Sequence, residues 1–393
     1  MNTENPSFDV VVSGGGMVGA TAALALAQSG FSVLVLDHVM PAAPGAGAIP
    51  DLRVSAISCA SVAMLRQVGA WQRVDRHFQV PYRRLETWEW PESLVSFDAS
   101  ALKLPELGFM IENNRLQQAL WQAFDNCDNL ELRCPATLET MQYDGGCWTL
   151  GLDNGDRVSS RLLIGADGAR SKVRQQAGIG IDGWQYRQSC MLITVSTPLG
   201  QQDVTWQQFT PEGPRAFLPL YDNWASLVWY DSVEKIKRLQ GMALPELERE
   251  VARTFPPRLG SIKAQAAGSF PLVRSHAQRY VGPGLALIGD AAHTINPLAG
   301  QGANLGFRDA DALVEVLINA RSRGEAWDSE TVLKRYQHRR RADNLLMQSG
   351  MDFFYNTFSN RVPPVRLARN IGLMLAQRAG RLKTQALKYA LGL

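Results

Sequence analysis

Residues 8–13 form an apolar run, Gly14-Gly15-Gly16-Met17-Val18-Gly19 follows it, and an alanine-rich stretch continues to Ser29. The apolar run reads as a buried strand and the alanine-rich stretch as a helix. Gly30 is a good helix stop. Residues 32–36 read as a second strand, which ends at Asp37. A strand–helix–strand unit with G-x-G-x-x-G at its turn and an acid about twenty residues on is the dinucleotide fingerprint. Gly14 allows the tight turn, Gly16 the approach of a pyrophosphate, and Gly19 close packing of helix on strand. Asp37 can accept hydrogen bonds from adenosine ribose hydroxyls. NAD and FAD both carry that ribose, so the motif leaves the choice between them open.

A second strand–turn–helix lies far down the chain. Residues 285–288 are apolar, Gly289-Asp290 follows, and the loop continues through Pro297 and Gly300-Gln301-Gly302 to Asn304. Leu313, Val314, Leu317 and Ile318 then recur at helical spacing. Free N–H groups and the dipole at a helix start favour negative charge. This suits a flavin: Asp290 can accept from ribityl hydroxyls, and the helix start can face the ring edge that carries charge when reduced. An ordinary capped strand–turn–helix explains the loop equally well, so the rest of the chain decides. His293 reads more readily as a satisfied structural histidine than as a proton carrier.

A chain of 393 residues, 46% apolar and 20% charged, is long enough for two domains with a substantial core. A net charge of +3 is too small to suggest nucleic acid, and Arg339-Arg340-Arg341 reads as a solvated helix face. The five cysteines are scattered without a CxxC pair, which points to a reducing compartment, no disulfide framework and no metal site. The start of the chain lacks a signal-peptide pattern, and no apolar run reaches the length of a membrane span. The expectation is a soluble or peripheral protein.

Between the two motifs, residues 82–90 and 94–97 look like strands around a turn at Pro91, and 138–165 like a meander with an Asn-Gly hairpin. The meander runs into Gly165-Ala166-Asp167-Gly168, a strand followed by a turn, with Ser171 as a helix cap. Residues 189–231 carry several strand-like runs and few helical ones, which predicts an antiparallel sheet. Six of the ten tryptophans (Trp88, Trp90, Trp184, Trp206, Trp224 and Trp229) fall in these sheet regions. They make either a sheet core or an apolar wall for a bulky substrate. Arg53 could reach a cofactor or cap local carbonyls. Arg115, at a helix start, could sit beside a diphosphate or on the surface. From Phe353 onward there is no Asp or Glu, yet Arg361, Arg366, Arg369, Arg378, Arg381, Lys383 and Lys388 are present. Ile371, Met374, Leu375, Leu382 and Leu393 could form an apolar face. Such a tail either binds acidic lipid heads or packs on the domain with its charges in water.

The fingerprint with Asp37, the Gly165-Ala166-Asp167-Gly168 turn and Gly289-Asp290 together resemble the class A flavoprotein aromatic hydroxylases, the para-hydroxybenzoate hydroxylase group. The resemblance implies an α/β fold: a Rossmann-like FAD-binding domain (1–80, 98–183 and 270–350), an antiparallel-sheet substrate domain (81–97 and 184–269) and a basic helical C-terminal region (351–393). In that family the first motif, here Gly14, Gly16, Gly19 and Asp37, holds the adenosine end of FAD. The turn at Asp167 is associated with FAD and NAD(P)H, and Asp290 with the ribityl chain. Arginines matching Arg53 and Arg115 lie near the flavin and its diphosphate. Gly300, Gly302 and Asn304 belong to the helix start at the flavin, and Pro297 to the loop by its reactive face. A single Rossmann fingerprint fits a nicotinamide that visits transiently.

Residues 51–58 and 289–309 look more narrowly like the ubiquinone-biosynthesis hydroxylases. Residues 82–90, 206–211, 215–220, 223–231 and 386–393 are similar to the bacterial branch that acts on demethoxyubiquinol. This resemblance implies an FAD-dependent monooxygenase that hydroxylates the ring of a polyprenylated benzoquinol with NAD(P)H and O2, through a flavin C4a-hydroperoxide. It favours the tryptophan wall and a membrane-contacting tail. It also implies a cytoplasmic protein, peripheral at the inner membrane, within a ubiquinone-biosynthesis assembly. Two alternatives stay open: a sister hydroxylase acting at another ring position, and a non-catalytic lipid-binding member of the assembly.

Overall fold

The computed structural model describes residues 5–42, 45, 48–295 and 301–393. Its first sheet has a parallel centre, in the order Leu130–Arg133, Val33–Leu36, Ser7–Ser13, Arg157–Gly165 and Leu285–Leu287. Val10, Val11, Val12, Leu162, Leu163, Ile164 and Ala286 are wholly buried. Continuous burial, rather than alternation, is what a sheet covered on both faces requires. Helix Met17–Gln28 packs between Asn113–Phe124 and Gln301–Ser322. The meander Leu138–Asp144 and Cys147–Leu152 joins antiparallel to Arg157–Gly165.

Register brings the three distant motifs together. Ser13 lies beside both Leu36 and Gly165, and Gly165 beside Leu287. One or two residues further on, Gly14, Asp37, Ala166 and Gly289 therefore meet at one edge, at the carboxyl ends of parallel strands. That crevice is where open α/β sheets bind ligands.

The second sheet runs His293–Thr294, Lys263–Ala277, Ile181–Ser196, Trp224–Ser232, Arg215–Pro219, Val204–Gln208, Arg84–Trp88, Val95–Asp98. All pairings are antiparallel except Val204–Gln208 with Arg84–Trp88. Strands Ile181–Ser196 and Lys263–Ala277 run across the sequence-expected boundaries at 183 and 269. A smaller sheet, Val54–Ser58, Gly108–Glu112 and Val80–Tyr82, stands between the two.

Alternation sorts the second sheet's faces. Trp88, Trp206 and Trp229 cluster with Phe217, Leu227 and Ile193 beneath helices Val233–Gln240 and Leu244–Thr254. The opposite face carries Leu85, Thr87, Leu192, Ala216, Leu218 and Val228 toward a cavity. The tryptophan wall is thus corrected: Trp206 alone of the six reaches the cavity lining, and Trp184 is 48% exposed on the surface.

Helices Glu330–Phe358, Pro363–Arg378 and Arg381–Leu391 complete the chain. Glu89, buried between Trp88 and Trp90, accepts from Arg369 Nε and Asn370 Nδ2, both at 2.6 Å, and from Arg366 Nε at 3.1 Å. Leu387 and Leu391 pack with Tyr82, Met110 and Leu220. The tail therefore docks on the body while several of its large apolar side chains stay bare. Among the described residues no helix is long and apolar enough to cross a membrane.

Candidate active site

The fingerprint glycines differ in what surrounds them. Gly14 has φ of 107°, and a Cβ there would lie 2.4 Å from the carbonyl oxygen of Ala166. A Cβ on Gly19 would lie 2.0 Å from the carbonyl oxygen of Gly14. Gly16 instead has nothing within 4 Å of its Cβ direction and lines the cavity. Two glycines close the turn and one leaves a cradle for a phosphate group. Asp37 Oδ2 accepts from Gly15 N at 2.7 Å, which fixes the acid at the loop. Trp121, which sequence reasoning passed over, braces the loop from behind, its Nε1 donating to Gly15 O at 2.6 Å.

Asp167 Oδ2 accepts from Val173 N at 3.1 Å, while its buried Oδ1 has no partner. Asp290 opens on the cavity and has no hydrogen bond to its carboxylate among the described residues. Its side chain is exposed to that space, yet the protein around it strips enough hydration to push its carboxyl above the usual value, and His293 and Arg53 oppose that rise. The open cradle at Gly16, the half-satisfied Asp167 and the inward Asp290 are acceptors and space that the FAD diphosphate and hydroxyls fit.

Arg53 lines the same cavity. Arg115 does not. It pairs with buried Glu112 and lies 3.4 Å over the ring of Phe78. Glu112 also accepts from Asp51 N at 2.7 Å, and Asn113 N donates to Arg53 O at 2.9 Å. The two arginines thus belong to one braced wall, of which only Arg53 borders the cavity.

Gly302 lines the cavity near the start of helix Gln301–Ser322, with no atom close to its Cβ direction. Asn304 turns away: its Oδ1 accepts from Ser58 N and Ser61 Oγ, each at 2.9 Å, and its Nδ2 donates to Ala56 O at 2.8 Å. Its side chain staples the helix start to strand Val54–Ser58. Pro297 and Gly300 lie outside the described residues.

His293 is buried and hydrogen-bonded to Asp309, as a structural histidine should be. Asp309, fully buried, accepts from Arg340 Nε at 2.8 Å. The reading of Arg339-Arg340-Arg341 as a solvated face fails at Arg340, which is 5% exposed. A buried carboxylate one helix away recruited it.

The cavity encloses about 1400 Å³. It runs from Gly16, Asp290 and Ala303 past the front of the second sheet to Phe353, Leu373 and Leu391 on the C-terminal helices. Its walls are chiefly aliphatic and aromatic, as a water-excluding reaction site requires. Among the described residues no cluster of His, Cys, Asp and Glu could hold a metal.

Residues 7–347 match the FAD binding domain family. The chain belongs to that family and, within it, to the flavin hydroxylases of ubiquinone biosynthesis. It is an FAD-dependent monooxygenase with NAD(P)H as transient co-substrate. It is 59% identical over 389 residues to the 3-demethoxyubiquinol 3-hydroxylase of Escherichia coli, covering 99% of this chain and all of that protein. It is 36% identical to the ubiquinone hydroxylase UbiL of Rhodospirillum rubrum, covering 98% of this chain and 89% of that one. The crystal structure of p-nitrophenol 4-monooxygenase PnpA from Pseudomonas putida superposes with a TM-score of 0.80 at 21% identity, over 98% of each chain. That last likeness concerns the fold.

Proposed function

We propose that the substrate is a demethoxyubiquinol-type benzoquinol with a polyprenyl tail, and that its ring gains one hydroxyl while NAD(P)H and O2 are consumed and water is released. The observation that carries this reading is the cavity, continuous and largely apolar from Asp290 to the C-terminal helices, which suits a small ring on a long hydrocarbon. The identity to the E. coli enzyme supports the ring position. A sister hydroxylase acting elsewhere on the ring shares every feature named here, and product analysis separates the two. A non-catalytic lipid carrier would leave the cradle at Gly16 and the inward Asp290 without a purpose.

Bound FAD, once reduced, supplies activated oxygen to the electron-rich ring. The chain's own residues bind, orient and exclude water. Gly14, Gly16 and Gly19 shape the pyrophosphate cradle, Asp37 takes the ribose hydroxyls and Asp290 the ribityl hydroxyls. Arg53 balances negative charge on the cavity side, and Arg115 braces that wall beside the diphosphate. Asp167 serves FAD and the visiting nicotinamide. Gly302, near a helix start, favours negative charge on the reduced ring, and the family resemblance gives Gly300 the same role. Asn304 acts on the cofactor by holding that helix start, and Pro297 is given its part in the reacting step by the family resemblance. The apolar walls keep water from the reacting oxygen, which would otherwise leave as H2O2.

Residues 1–80, 98–183 and 270–350 act as the FAD-binding unit, 81–97 and 184–269 as the substrate unit, and 351–393 as the basic helical region. The reading includes a cytoplasmic protein working peripherally at the inner membrane, within an assembly of ubiquinone-biosynthesis proteins. Its direct test is Asp290→Ala, which should strip FAD during purification; a fully yellow variant would remove Asp290 from the site.

A further inference from the structure

Helix Pro363–Arg378 is apolar on two sides. Val365, Ala368, Gly372, Leu373 and Ala376 line the cavity. Leu367, Ile371 and Leu375 recur every fourth residue on another side, 52%, 47% and 63% exposed. A helix that only packs on a core carries polar residues on its outer face. Here the outer face is hydrocarbon. Leu382, on the next helix, and Phe353, on the previous one, are bare as well. Phe353 and Phe354 are exposed and also line the cavity, so the cavity reaches the surface at the end of the helix that precedes Pro363–Arg378.

The charge carried by the segment itself has one sign. Of the seven cations after Phe353, Arg369 and Arg366 reach Glu89, and Arg361 pairs with Glu212. Arg378, Arg381, Lys383 and Lys388 have no carboxylate partner among the described residues. No acid lies on the same stretch to balance them. A second copy is a poor occupant, because a two-fold contact would set this positive surface against itself. An anionic bilayer offers hydrocarbon to the leucines and phosphates to the cations.

We propose that this surface docks on an anionic lipid bilayer, and that helix Pro363–Arg378 is the wall past which a polyprenyl tail moves between bilayer and cavity, entering at Phe353 and Phe354. The docking stands on the surface itself; the passage of the tail rests on the substrate reading above.

The test uses the full-length, FAD-loaded protein. Wild type should sediment with vesicles of phosphatidylcholine plus phosphatidylglycerol, not with phosphatidylcholine alone, and added salt should release it. The triple variant Leu367→Ser, Ile371→Ser, Leu375→Ser should keep its FAD and melting temperature. Its turnover of a short-tailed, water-soluble quinol should be unchanged. Turnover of a long-tailed quinol embedded in the anionic vesicles should fall roughly tenfold or more. Wild type that ignores anionic vesicles overturns the docking, as does a dimer that the triple variant converts to monomer. A triple variant that turns over the embedded quinol like wild type overturns the portal. If wild type fails even on the short quinol, the substrate reading has failed, and sedimentation still decides the docking.

Discussion

Asp309 accepts a hydrogen bond from the backbone N–H of Gly289 at 3.1 Å. The same carboxylate takes bonds from His293, Arg340 and Asn344. The strand end that presents Asp290 is therefore tied to helices Gln301–Ser322 and Glu330–Phe358 at one buried point. On the second helix Arg340, Asn344, Gln348 and Asp352 recur every four residues. Gln348 donates to the carbonyl of Thr294 at 3.0 Å, and Asp352 pairs with Arg274 at 2.8 Å. This polar stripe grips the flavin-side segment, while the end of the same helix carries Phe353 and Phe354 into the substrate cavity.

Burial pushes the Asp309 carboxyl up, and His293, Arg340 and Asn344 together hold it below its ordinary value. Asp309→Ala would take from buried Arg340 one of its two carboxylate partners, leaving Asp343, and would remove the acceptor that holds buried His293. The expected loss is roughly 3–5 kcal/mol of stability, read by urea unfolding, together with loss of bound FAD. Asp309→Asn should fall between the variant and wild type on both measurements.

The fingerprint glycines should separate by role. Gly16 has ordinary extended backbone and open space at its Cβ. Gly16→Ala should hold stability to within about 0.5 kcal/mol, yet weaken FAD roughly tenfold, about 1.4 kcal/mol. Gly14→Ala and Gly19→Ala meet backbone oxygens and should destabilise the fold itself. Melting curves and FAD titration on the three variants check the order.

Glu89 anchors the C-terminal helices. Burial acts to raise its carboxyl pKa, and Arg369, Asn370 and Arg366 more than reverse that. Glu89→Ala would strand Arg369, which is 6% exposed, and cost roughly 3–5 kcal/mol. Trypsin should then cut at Arg361 and Arg366 faster than in wild type.

His276 is buried and held neutral, its pKa lowered to about 4, first by lost hydration and then by His293, with Arg341 and Arg274 adding to it. An unfolded histidine titrates near 6.5. Between those values the unfolded chain takes up a proton that the folded chain refuses, so stability is full above the upper value and falls as pH drops toward the lower. The loss from this group is up to about 3 kcal/mol. Urea midpoints across that window should show the slope, and His276→Gln should flatten it.

Much of the nucleotide crevice was legible because its signals are local. Glycine spacing, an acid at a strand end and continuous apolar runs each depend on a few neighbouring residues. Parallel register then aligned Gly14, Asp37, Ala166 and Gly289 without further help. What escaped depends on pairings across the chain. Which face Trp88, Trp206 and Trp229 take is decided by strand register, since one step reverses a side chain. Arg340 looks like surface charge until Asp309, 31 residues earlier, buries it. Asn304 carries a site residue's motif, but its side chain is used by Ser58 and Ser61. The tail's composition suited both packing and lipid contact, and its helices show a packed inner side and a bare outer one.

The measurement that bears most directly on the central claim is reduction of the FAD-loaded protein by NADH and NADPH without oxygen, then admission of O2 with a demethoxyubiquinol analogue. Product mass and H2O2 are recorded together. The account predicts reduction by at least one nucleotide, one added oxygen on the ring and little peroxide. Reduction that ends in peroxide with an unchanged ring would contradict the substrate assigned to the cavity.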